Sequence, residues 1–130
     1  MSIGWIRHAD VDILYLNLEG IVDHADKLEH VRRVNELVSL AEGGALVLVN
    51  LTNFMPGPGF MDFANESLKD RARKIRKAAY VGVERKNRML FDSYDAYNAN
   101  VVNRRAFKEL DQALAWLVED AAASMPSANA

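Results

Sequence analysis

His8, His24 and His30 are the residues in this chain best suited to chemistry, because imidazole ligates metals and carries protons near neutral pH. A helical metal pair needs ligands three or four residues apart, and His24 and His30 are too far apart to share a helix face. Asp26 and His30 have that spacing, but such a pair is ordinarily a surface contact. Asp92 and Asp95 also stand close enough for joint acid/base work, and a solvated helix face accounts for them more simply. The chain has no cysteine, which excludes disulfides, thiolate zinc sites, iron–sulfur clusters and thiol nucleophiles. No nucleophile stands beside a base in a known pattern, so the sequence reads as non-enzymatic, with no cofactor and no metal.

Gly57-Pro58-Gly59 lies where an apolar strand hands over to a helix, the end of an α/β sheet at which ligands collect. Free N–H groups at a helix start can hold an anion. Pro58 removes one such donor, and neither the spacing nor the lysine of a P-loop is present, which argues against a nucleotide. Pro56 and Pro58 stiffen the connection, while Phe54, Met55 and Phe60 bring large apolar groups to it. The loop residues Asn53, Phe54, Met55, Gly57, Gly59 and Phe60 are therefore expected to form an exposed contact surface for a protein partner or a second copy. A rigid connection with no further role is the plainer alternative. Phe63, Phe91, Tyr94 and Tyr97 are expected to face the core, or else to line a cavity for an acyl chain or other apolar ligand.

Charge is unevenly distributed. Residues 69 to 108 hold twelve basic side chains against four acidic ones, a balance of +8 offset by −6 before them and −4 after, giving −2 for the chain. Lys69, Arg73, Arg76 and Lys77 within that stretch are expected to form a patch for anionic lipid or an acidic partner. The weak overall charge and the absence of a recognition motif argue against nucleic acid.

The elements that position these residues follow from periodicity. Leu14, Leu16 and Leu18 alternate as in a strand, with Gly4 to His8 as a shorter partner. Leu28, Val31, Val34, Leu37, Val38 and Ala41 recur at helical steps until Gly43-Gly44. Leu46 to Val49 reads as a central strand covered on both faces, with Ala78 to Val83 as its neighbour. Between them Phe60, Phe63, Ala64, Leu68, Ala72 and Ile75 mark a helix whose other face carries Lys69, Arg73, Arg76 and Lys77. A helix through Leu90, Phe91, Tyr94 and Tyr97, a strand from Val102 to Phe107 and a helix from Leu110 to Val118 complete the series. The expected fold is a single α/β domain, a mostly parallel mixed sheet of four to five strands with about four helices, over residues 1–120. Residues 121–130 read as a flexible tail. At 130 residues, half of them hydrophobic, the chain is of one-domain size and can bury a sizeable core. It has neither a recognisable secretory signal nor an apolar run long enough for a transmembrane segment, so a cytoplasmic location is expected.

Two segments carry a resemblance. Arg76-Lys77-Ala78-Ala79-Tyr80-Val81-Gly82-Val83 is similar to the basic lead-in and Val-Gly turn of the SpoIIAA-like branch of the STAS domains, often described as STAS/SEC14-like. Phe107, followed by Ala113-Leu114-Ala115-Trp116-Leu117, resembles the same family's phenylalanine, acidic linker and Ala-Leu-x-Trp-Leu helix. The resemblance spans roughly residues 4 to 120 and implies a bacterial regulatory or interaction module, or a SEC14-like lipid binder, rather than a reaction. Anti-sigma-factor antagonists of the wider family carry an acid at the end of the central strand and a phosphorylated serine in the next loop. Here Asn50 stands in the acid's place and the loop from Thr52 to Phe60 has no serine, so that switch is not implied.

Overall fold

Period-two alternation and a two-residue turn build an antiparallel hairpin from β1 (Ile3–His8) and β2 (Val11–Asn17). Ala9 and Asp10 between them both take positive φ, the turn geometry that matches the right-handed twist of paired strands. The computed structural model describes residues 3–55, 59–68, 74–88, 92 and 103–123. Helix α1 (His24–Leu40) starts at Asp23, whose carboxylate accepts from the N–H groups of Ala25 and Asp26. The chain then turns at Gly43 and Gly44 into β3 (Ala45–Asn50). Gly44 is required there: φ is +93°, and a Cβ would lie 2.7 Å from Cγ of Arg76. Next come α2 (Phe60–Leu68), β4 (Ile75–Val81), a 3-10 turn (Arg85–Asn87), β5 (Arg104–Phe107) and α3 (Leu110–Ala123).

The five strands lie in the order β1-β2-β3-β4-β5, antiparallel at the first pair and parallel at the other three. The α/β class and the mixed sheet agree with the sequence expectation, and β3 is the central strand, with Ala45 to Val49 all buried. Three α-helices are present among the described residues. The helix expected through Leu90 to Tyr97 lies outside them, apart from Asp92. One boundary is corrected: Ile75, Arg76 and Lys77, expected on the α2 helix, belong to β4. Ile75 and Lys77 pair with Ala45 and Leu46 across a register shift, so ladder bonds to β3 claim this segment. Helix α3 continues through Ala123, into the stretch expected as tail.

Strand alternation divides the core in two. Leu14, Leu16, Val47, Val49, Ala78 and Tyr80 face α1 and α2; Ile13, Leu46, Leu48, Ala79 and Val81 face α3 with Ala113 and Leu117. Trp116 packs half-buried against the second cluster, in one core with Leu46, Leu48 and Val81 as the sequence implies. Among the described residues no helix is long and apolar enough to cross a membrane.

Candidate functional site

The loop leaving β3 turns inward instead of outward. Phe54 N–H donates to Leu51 C=O at 3.0 Å and Asn53 takes φ +55°, a tight turn that sends the chain back over the sheet. Phe54 is consequently fully buried, and its ring meets that of the buried Phe60 edge-on at 5.2 Å. The expectation that Phe54 and Phe60 are exposed contact anchors is corrected: both are core residues. Asn53 and Gly59 are exposed, Met55 is 52% exposed, and Gly57 lies outside the described residues.

Three neighbours hold this loop. Asn87, wholly buried, donates from Nδ2 to the carbonyls of Leu51 (2.8 Å), Phe54 (3.3 Å) and Gly82 (3.2 Å), and its Oδ1 accepts from Glu84 N–H. Lys27 on α1 donates from Nζ to Met55 C=O at 2.7 Å, with the ammonium 5.4 Å from the Phe54 ring. Gly82, at φ +79°, lies so close to Thr52 that a Cβ would come within 2.4 Å of its N and Oγ1. Beside them Asn50 donates to the Tyr15 hydroxyl and to Glu19, and accepts from Thr52 N–H. These groups satisfy one another's backbone at the carboxyl ends of the strands, an architectural role. Among the described residues no three of His, Asp and Glu come together as a metal site.

Of the four residues of the expected basic patch, Arg76 and Lys77 are described. Arg76 is exposed, but it borders a groove of about 560 Å³ at the amino-terminal end of the strands, shared with Trp5, Asp10, Asp12 and Glu42. Lys77 is buried on the α3 side, where its ammonium donates to Trp116 C=O at 2.6 Å and lies 4.5 Å from the indole ring. A helical reading places the two side by side on one face; in the structure Arg76 is exposed at the groove, whereas Lys77 is buried against Trp116. Lys69 and Arg73 lie outside the described residues.

On the other side of the sheet, between the strands and helices α1 and α2, lies a cavity of about 70 Å³. Leu16, Val31, Val34, Val47, Phe60 and Ala64 are among its walls. Phe63, expected at a cavity, is half-buried against this same core cluster, whereas Phe91, Tyr94 and Tyr97 lie outside the described residues. Most of the remaining lining is aliphatic, from Leu18, Val38, Val49, Leu51, Ile75 and Ala78. Two more wall residues are Tyr80 and Arg104, the guanidinium carbon lying 4.7 Å from the ring centre. Sequence reasoning missed Arg104, although strand alternation carries the signal: Arg104 and Ala106 must share a face of β5, and Ala106 packs on the core. The clamp by Asn87 had no sequence signal, because a lone asparagine in a polar turn looks like any other. No protein-family model matches the chain, and no curated protein is similar to it.

Proposed function

We propose that this chain is a non-catalytic binding module whose ligand is a small apolar molecule or acyl chain received between the sheet and helices α1 and α2. The observation that carries the reading is the largely aliphatic cavity beside Phe60 and Ala64. A close-packed core leaves few voids larger than a water, so a void of this size at the junction of two helices is a feature in need of an occupant. The resemblance to SpoIIAA-like STAS domains belongs to the same proposal and rests on Arg76 to Val83 and Ala113 to Leu117. Native mass spectrometry of the chain isolated gently from cells tests it. An added mass released by organic solvent supports the reading, and a bare chain from every growth condition opposes it.

A second reading, recognition of a protein or of another copy through the loop after β3, is favoured by the clamp at Asn87 and Lys27. A loop held before binding loses less conformational entropy on contact, and Met55 offers an exposed apolar side chain on it. Met55→Ser should weaken self-association in analytical ultracentrifugation while leaving the melting temperature unchanged. Unaltered association removes Met55 from the interface.

A further inference from the structure

β1 stands at one edge of the sheet, and among the described residues no strand pairs with its outer side. Which of its backbone groups face outward follows from the turn. Ala9 and Asp10, both at positive φ, form a two-residue hairpin turn, and the residues that close such a turn, His8 and Val11, exchange both of their backbone hydrogen bonds. Bonded and unbonded pairs then alternate along the hairpin. His8, Ile6 and Gly4 direct their N–H and C=O groups to β2, whereas those of Arg7, Trp5 and Ile3 point away from the sheet. Natural sheets blunt such an edge with proline, lysine, a bulge or a cover. β1 has neither proline nor lysine, and its register with β2 is unbroken over all six residues. Its arginine is held within the hairpin, donating to Asp12 at 2.8 Å and to the C=O of Asp10 at 3.1 Å. Trp5 and Ile6 are left 46% and 36% exposed.

We propose that this edge is an interface with a second copy of the chain, in which the two β1 strands pair antiparallel about a two-fold axis at Trp5 and join the two sheets into one. The outward groups dictate that register. Ile3, Trp5 and Arg7 are spaced evenly about Trp5, so an axis there sets Trp5 against its own counterpart and Ile3 against Arg7, with up to about six backbone hydrogen bonds. The two indoles become an aromatic cross-strand pair on one face. On the other face each Ile6 lies opposite Gly4, where a side chain would meet nothing within 4 Å in its own chain. Charge permits the pairing: an antiparallel ribbon keeps the two Arg7 residues at opposite ends, and a net charge of −2 gives two copies little mutual repulsion. The opposite edge suits β1 less well, because β5 has four residues, begins with Arg104 and Arg105, and would join unlike edges without closing. The inference does not depend on the cavity, and it places the contact between copies on a different surface from Met55.

Sedimentation velocity at neutral pH, from about 1 µM to 1 mM, tests it on the natural chain, Trp5→Lys, Trp5→Glu, an equal mixture of those two, and Met55→Ser. The natural chain should pass from monomer to dimer as concentration rises and stop there. Each Trp5 variant sets like charges against each other at the axis and removes the aromatic pair, so it should dimerise about tenfold or more weakly. The mixture, with lysine facing glutamate, should recover most of the loss. A natural chain that stays monomeric, or that grows beyond a dimer, overturns the proposal. So does a dimer that survives in both Trp5 variants, and a mixture no better than either alone removes the axis from Trp5. A dimer lost in Met55→Ser assigns the contact to the loop after β3 and overturns the β1 interface. Amide exchange on the natural chain needs no variant to fold: the N–H groups of Ile3, Trp5 and Arg7 should slow with concentration, while those of Gly4, Ile6 and His8, already bonded to β2, should not. Slowing in neither set, or equally in both, contradicts the pairing.

Discussion

On the α3 side of the sheet, Ile13, Leu48 and Ala79 meet Ala113 and Leu117 with almost no surface left to solvent; on the other side, Leu16, Val47 and Val49 help enclose about 70 Å³. Both layers are aliphatic, so composition does not explain the contrast. Geometry does. One helix covers the closed face, and its small Ala113 allows it to settle near Ala79. Two helices share the open face, and the fully buried apolar side chains of α1 there are the short Val31, Val34 and Val38, with Leu28 and Leu37 packed half-buried beside them. The aromatic pair Phe54 and Phe60 belongs to this same layer. The hollow thus stands beside residues that fill space well.

The largest effect that sharpens this contrast comes from the aromatic pair. Phe54→Ala should cost about 3–5 kcal/mol in chemical denaturation, the range for a fully buried aromatic. A loss below about 1 kcal/mol would return Phe54 to the surface and make the loop a plain contact loop. On the closed face Trp116→Ala should cost less, about 2–3 kcal/mol, because the indole is only half-buried and part of its worth is the contact with Lys77. Equal losses at the two positions would mean that Trp116 is more deeply packed than its exposure implies.

Asn87→Ala should cost about 1–3 kcal/mol, since the carbonyls of Leu51, Phe54 and Gly82 lose their shared donor. Amide hydrogen exchange should then quicken from residues 51 to 55 and stay slow in α3. Exchange quickening equally in both would mean that the clamp serves the whole domain. The smallest effects contrast the faces most directly: Ala79→Val, an added bulk in the closed layer, should destabilise by about 1–3 kcal/mol, whereas Val34→Ile, a methylene directed at the hollow, should change stability by less than about 1 kcal/mol. Matching losses would show that the open face has no room.

Much of the fold was legible because burial on two faces leaves a strong pattern. The run Leu46 to Val49 announced a central strand, and Leu14, Leu16 and Leu18 announced the side of β2 turned to α1. The boundary at Ile75 was misread because Ile75 also continues the helical spacing from Leu68 and Ala72, and only pairing with β3 decides between the two periods. Site residues were harder. Phe54 and Phe60 look alike whether a loop points outward or folds back, and the turn at Thr52-Asn53 that decides it depends on Asn87, more than thirty residues away. Arg104 was concealed by its neighbour Arg105, which makes the pair look like ordinary surface charge.

The central claim, that one face of the sheet holds a receptive hollow and the other is closed, is tested most directly by methyl NMR under xenon pressure. Xenon enters dry apolar cavities without needing a polar contact. The methyl signals of Leu16, Val31, Val34, Val47 and Val49 should shift with saturation while those of Ile13, Leu46, Leu48 and Leu117 stay in place. Shifts distributed evenly over both sets, or none in the first, would contradict the account.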